Sequence, residues 1–246
     1  MNLLVTKNVK VCYDKQLIIH GIDFELEPGE IKGIMGPNGA GKSTFLRTLS
    51  GELEPSAGEI YFNGRNLTGE AARVVNRTGI SYLPQRPGCF TSLTIRENLQ
   101  GAAQRDYIFS RRHAETVSNL VELLGFDDNL DLPAGDLSYG EMRVLDLAMA
   151  LICKPKVLLA DEPTAGVSSD TADEIVDLLK LLCDDGYNGE FALQGLIVVE
   201  HEKYAAFQMA NKIDFFRAGN LVVEDSPSSI AKYPEVAQYL SEHEFE

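Results

Sequence analysis

Residues 36–44 read Gly-Pro-Asn-Gly-Ala-Gly-Lys-Ser-Thr, and few stretches of nine residues constrain a fold so tightly. Gly36, Gly39 and Gly41 permit a tight turn that aims successive backbone N–H groups into one concavity. Lys42 adds a positive charge and Ser43 a hydroxyl. This is the chemistry that cradles a nucleoside triphosphate, with Gly36, Pro37, Asn38, Gly39, Ala40, Gly41, Lys42, Ser43 and Thr44 around the phosphates and the Ser43 hydroxyl on Mg²⁺. Such a loop works only between a strand and a helix whose N-terminus faces the anion. Both flanks are legible. Glu30–Met35 predicts a strand introduced by Pro28-Gly29. Ser43–Leu49 predicts a short helix with Phe45, Leu46 and Leu49 on one face, closed by Gly51.

A second constellation lies far downstream. Val157-Leu158-Leu159-Ala160-Asp161-Glu162 predicts a buried apolar strand ending in two carboxylates. Beside a phosphate loop, Asp161 is placed to hold Mg²⁺ and Glu162 to polarise an attacking water. Between the two constellations, Leu137-Ser138-Tyr139-Gly140-Glu141 precedes a helix and offers a hydroxyl and free N–H groups to an anion.

The order of phosphate loop, this pentapeptide and carboxylate strand resembles the ATP-binding-cassette (ABC) ATPase family over essentially the whole chain. The resemblance implies an α/β fold, a P-loop NTPase core with an N-terminal antiparallel β-subdomain and an inserted α-helical subdomain. Residues 1–85 and 151–226 would form the core with its β-subdomain, 86–150 the helical subdomain and 227–246 a tail with a helix. The resemblance also implies that Tyr13 stacks on adenine, that Gln85 reaches Mg²⁺ and the attacking water while joining the lobes, and that His201 contacts the γ-phosphate. Two subunits, as a homodimer or heterodimer, would face each other head to tail, with Ser138, Tyr139, Gly140 and Glu141 of one on the ATP of the other. With Lys42, Asp161, Glu162 and His201 all in place, ATP hydrolysis with Mg²⁺ is expected.

Two departures stand out. Tyr139 occupies a place where glycine is the family's commonest residue, and Ser168 stands where many members carry an aspartate, which bears on communication between the paired sites. Ala165-Gly166, Glu200-His201 and the tail Tyr233-Pro234-Glu235-Val236-Ala237-Gln238-Tyr239-Leu240 resemble the ATPase subunits of branched-chain amino-acid and urea importers. Ala165-Gly166-Val167 resembles the lipopolysaccharide-export ATPase as well. A soluble iron–sulfur-assembly ATPase of the same family is the further alternative.

Composition narrows the partners. With 22 basic against 37 acidic side chains, the net charge of −15 argues against a broad nucleic-acid face. Cys12, Cys89, Cys153 and Cys183 lie far apart, which predicts reduced thiols. Neither a signal peptide nor an apolar run long enough to span a membrane is visible. The expectation is a cytoplasmic protein held at the inner or plasma membrane by transmembrane permease subunits, with a solute-binding protein if it serves an importer. The segment after Gln85, including an exposed Phe90, would form the docking surface. Helices are predicted at Thr94–Ala103, Arg111–Leu124, Tyr139–Leu151, Asp170–Cys183, Lys203–Ala210 and Pro234–Leu240. Further strands are predicted at Glu59–Phe62, Gly79–Leu83, Leu196–Val199 and Ile213–Phe216.

Overall fold

A computed structural model describes residues 2–103, 111–124, 130–184, 186–187, 189–200 and 203–242, the side chains of 111–114 and 203–204 excepted. The chain opens with an antiparallel sheet. Strands β1 (Leu4–Tyr13) and β2 (Gln16–Leu26) form a hairpin, and β4 (Ala57–Phe62) and the short β5 (Arg65–Asn66) extend it in the order β2-β1-β4-β5. Alternation along β1 and β2 sends Val9, Val11, Ile19, Ile22 and Phe24 inward, which is the period-2 pattern of a sheet with one covered face.

The second sheet has the order β10-β9-β3-β8-β7-β6. Its members are β3 (Glu30–Met35), β6 (Ile80–Leu83), β7 (Val157–Asp161), β8 (Gly195–Val199), β9 (Lys212–Arg217) and β10 (Asn220–Asp225). All neighbours are parallel except β10, which folds back on β9. Every residue of β3, β7 and β8 is buried, as expected for parallel strands covered on both faces.

Helix α1 (Lys42–Leu49) follows β3, and α2 (Ala72–Thr78) precedes β6. A helical block of α3 (Ile95–Ala103), α4 (Arg111–Leu123) and α5 (Tyr139–Leu151) lies between β6 and β7. Helices α6 (Ser169–Cys183) and α7 (Lys203–Met209) flank β8, and α8 (Pro227–Ile230) and α9 (Pro234–Glu242) close the described chain. Phe24 packs edge-on against Phe45, and Phe45 lies tilted against Phe216, between the two sheets. On the other face, one apolar cluster runs from Leu99 and Leu120 in the helical block through Leu158 and Leu196 in the sheet to Leu179 in α6.

The predicted α/β architecture is therefore the observed one, and the predicted elements lie within one or two residues of their places. Strand β5, helices α2 and α8 and strand β10 carry no sequence prediction. Strand β10 alternates exposed and half-buried residues at the sheet's edge, so no continuous apolar run announces it. The four cysteines are free thiols, and burial pushes the Cys183 thiol up to about 12.

Candidate nucleotide site

Parallel register brings the predicted residues to one edge of the sheet. Ile34 and Asp161 both pair with Val199, and Leu83 pairs with Ala160. The phosphate loop after β3, the Gln85 segment after β6, Glu162 after β7 and Glu200 after β8 thus leave the sheet at the same level. The carboxyl ends of parallel strands are where open α/β sheets bind ligands. His201 lies outside the described residues.

The loop has the geometry its glycines permit. Gly36, Gly39 and Gly41 have φ of 143°, 77° and 100°. A Cβ at Gly36 would collide with the Phe216 carbonyl, so this glycine supplies space as well as backbone freedom. At Gly39 a Cβ would meet nothing, and only the left-handed backbone requires glycine. No side chain caps α1, so the first N–H groups of the helix point into the loop without a side-chain acceptor. Lys42 Nζ donates to the carbonyls of Gly36 at 2.6 Å and Pro37 at 3.2 Å. Burial pushes this ammonium down to about 8, against the opposing pull of Glu162 and Asp161.

Ser43 Oγ donates to Asp161 Oδ1 at 3.1 Å, joining residues 118 positions apart, and Tyr82 Oη donates to Asp161 Oδ2 at 3.1 Å. Burial raises the Asp161 carboxyl above its ordinary value, while these two hydrogen bonds pull it down. A hydroxyl and a carboxylate side by side form a hard oxygen donor set, which fits Mg²⁺. Glu162 is buried and held at φ 48°, a left-handed conformation that costs a glutamate about 1 kcal/mol. Its N–H donates to the Val199 carbonyl at 2.9 Å, and Gln85 Nε2 donates to its carboxylate.

Tyr13 is 44% exposed, and its hydroxyl accepts from Arg47 Nη1 at 3.3 Å, with Arg47 also paired to Glu52 at 3.1 Å. Ser138 caps α5 in a reciprocal box. Its Oγ accepts from Glu141 N at 3.3 Å, and Glu141 Oε2 accepts from Ser138 N at 2.7 Å. The Ser138 hydroxyl also donates to the Glu141 carboxylate, which holds that carboxyl below its ordinary value. Tyr139 lies over Gly166, where a Cβ would come within 3.1 Å of the ring, and Gly140 faces Thr171. Among the described residues, no hydrogen bond joins the pentapeptide to the phosphate loop of its own chain. Among the described residues, those predicted to contact ATP thus fall into two groups that no hydrogen bond joins.

The profile of the family described as ABC transporter matches residues 19–165. The chain belongs to the ABC transporter family. It is 28% identical over 244 residues to the lipopolysaccharide export system ATP-binding protein LptB of Escherichia coli, covering 98% of both chains. It is 29% identical over 235 residues to the high-affinity branched-chain amino acid transport ATP-binding protein BraG of Pseudomonas aeruginosa, covering 95% of this chain and 97% of that one. Against the ribose import ATP-binding protein RbsA of Oceanobacillus iheyensis identity is 27%, and the chain spans only 47% of that protein's length. It spans 39% and 43% of two further sugar-import relatives. Among solved structures, the ADP conformation of an ATP-binding cassette of an ABC transporter superposes with a TM-score of 0.85 at 22% identity, over 98% of this chain and 99% of that one.

Three residues at the site carry no sequence prediction. Tyr82 is visible only as an aromatic in a strand, although its hydroxyl reaches Asp161. Arg143 and Asp146 lie on the apolar helix α5 with the Arg143 guanidinium fully buried, and their one sequence signal is a charged pair at i, i+3 among Met142, Val144, Leu145 and Leu147.

Proposed function

We propose that this ABC family chain is an ATP-hydrolysing subunit that powers transport through separate membrane subunits. The observation that carries the proposal is the convergence of Ser43, Asp161, Glu162 and Gln85 at the edge of the sheet where the uncapped α1 begins. In this reading the loop 36–44 binds the triphosphate, Tyr13 stacks on adenine, and Ser43, Asp161 and Gln85 would hold Mg²⁺, which supplies charge neutralisation on the phosphates. Glu162 accepts a proton from the attacking water, which Gln85 reaches, and His201 contacts the γ-phosphate.

The pentapeptide Leu137–Glu141 belongs to the partner's nucleotide, through Ser138, Tyr139, Gly140 and Glu141. That no hydrogen bond joins it to its own phosphate loop among the described residues supports a head-to-tail pair, homodimeric or heterodimeric, in which ATP joins the subunits and hydrolysis releases them. Residues 86–150 act as the helical subdomain between the core segments 1–85 and 151–226, with 227–246 as a tail. Phe90 is 63% exposed just beyond Gln85, which supports docking of permease subunits there. No helix among the described residues is long and apolar enough to cross a membrane, so peripheral attachment at the cytoplasmic face through those subunits is the matching location.

For cargo, import of branched-chain amino acids, urea or a similar small polar solute is the preferred reading. BraG supports it by coverage from end to end, together with the tail Tyr233–Leu240. Coverage of 98% of both chains for LptB keeps a lipopolysaccharide-export-like system as the second reading. The deciding test of the enzyme is Glu162→Gln. Phosphate release should fall about a hundredfold or more while ATP still binds, because the proton acceptor is removed and the phosphate loop is not. Wild-type turnover in this variant would move the catalytic role elsewhere.

A further inference from the structure

Arg143 lies one turn into α5 and is 1% exposed. Its Nη1 donates to the Pro84 carbonyl at 2.8 Å and its Nη2 to the Glu162 carbonyl at 3.1 Å. The guanidinium also faces Asp146 Oδ2 at 3.6 Å, and the Asp146 carboxylate receives the Gly88 N–H at 3.0 and 3.1 Å through its two oxygens. One buried ion pair therefore holds the residue before Gln85, the backbone of Glu162 and the start of the segment that exposes Phe90.

A guanidinium is an expensive group to bury, and an apolar side chain would fill the same space between helix and sheet at no such cost. What Arg143 supplies and an apolar residue cannot is direction. Glu162 sits in a left-handed conformation that a glutamate does not adopt unaided. Its N–H donates to the Val199 carbonyl, and its own carbonyl accepts from the Ala165 N–H at 3.2 Å and from Arg143, the one side chain that reaches it among the described residues, so both peptide groups flanking the strained residue are fixed. The second arm of the same fork fixes the peptide ahead of Gln85, whose amide binds the Glu162 carboxylate.

We propose that Arg143 is a positioning residue that links the nucleotide held by the partner subunit to the hydrolytic carboxylate of its own subunit. The inference rests on the head-to-tail reading above. Helix α5 begins with Ser138, Tyr139 and Gly140, and Arg143 follows within its first two turns. A shift of the helix start against a partner's triphosphate is transmitted along one rigid helix to two carbonyls, and so to Gln85 and Glu162. This relay gives the paired sites a route of communication that does not need an aspartate at the place of Ser168.

The test uses the whole chain and measures Mg-ATP-dependent phosphate release together with thermal melting. Arg143→Lys keeps the charge and loses the fork, and should lower kcat about ten- to a hundredfold with the KM for ATP within about twofold. The double variant Arg143→Met/Asp146→Leu removes both buried charges, and should melt as high as the wild type while staying slow. A wild-type kcat in Arg143→Lys, or recovery of kcat in the double variant together with its melting temperature, would reduce the pair to a structural role and overturn the relay while leaving the ATPase reading intact. A wild-type protein without ATP-dependent phosphate release would overturn that reading and the relay with it.

Discussion

Two places in the same sheet bury charge, and they do so in opposite ways. At the carboxyl edge, Lys42, Asp161 and Glu162 are buried together with their preferences unmet. Lys42 is pushed down to about 8, Asp161 is raised, and Glu162 is held in a left-handed backbone. Beneath the sheet, toward the antiparallel layer, Lys32 is buried over the Phe24 ring and bound to the Glu25 carbonyl at 2.5 Å and to Glu224 at 2.9 Å. Glu30 lies 3.8 Å from Lys32 and 3.6 Å from Lys212, which also pairs with Glu224. Asp214 completes this second group. Burial drives its carboxyl well above the ordinary range, and neither of its oxygens meets a donor, while its neighbour Glu224 already accepts from Lys32. The second cluster is neutralised from within. The first is assembled as though a charged ligand will complete it, and the left-handed backbone of its Glu162, which no residue of the second cluster shares, marks it as the working end.

The strongest way to break this contrast is to remove one lysine from each place. Lys32→Ala should destabilise the fold by about 3 kcal/mol, because Glu30 and Glu224 lose their buried counter-charge. Lys42→Ala should change unfolding stability little, since burial already weakens that ammonium, and should abolish ATP binding. Denaturant titration with ATP-binding measurements on both variants checks the pair, and a Lys42→Ala protein that binds ATP with wild-type affinity would remove the distinction.

Asp214→Asn probes the second cluster through pH. A carboxyl raised in the folded state contributes stability that is fully present below its ordinary value of 3.8 and is lost as pH rises through the folded value. The asparagine carries no such proton. The variant should therefore gain on the wild type between acid and neutral pH and show no advantage below the ordinary carboxylate value. Melts at several pH values check this, and a constant difference across pH would show that Asp214 does not hold its proton.

The smallest expected effect belongs to Tyr82→Phe. Loss of the hydrogen bond to Asp161 should cost about 1 kcal/mol of stability and lower the affinity for Mg-ATP modestly, because Asp161 keeps Ser43. A stability loss without any change in nucleotide affinity would make Tyr82 part of the scaffold alone.

The contrast also explains what was legible in the sequence. The carboxyl edge is built from short contiguous motifs whose residue types have few other uses, so the phosphate loop, the Asp161-Glu162 strand end and the capping serine Ser138 could be read in place. Strands β3, β7 and β8 announced themselves as apolar runs between turn residues. The buried cluster did not. Lys32 lies between Ile31 and Gly33 and Asp214 between Ile213 and Phe215, and the partners that make them tolerable come from β2, β3, β9 and β10, so only the register of the sheet reveals the group. Arg143 was hidden for the same reason, because its acceptors are main-chain carbonyls, which no side-chain pattern reports.

One further consequence follows from the apolar cluster that runs through the helical block into the sheet. Leu99, Leu120 and Leu145 share a single interior with Leu158, Leu196 and Leu179. The inserted helices therefore have no private interior to retain if severed. A fragment cut at their boundaries would expose half of a shared seam on each piece, and grafting the helical block onto another scaffold would succeed only if the recipient brought its own matching sheet face.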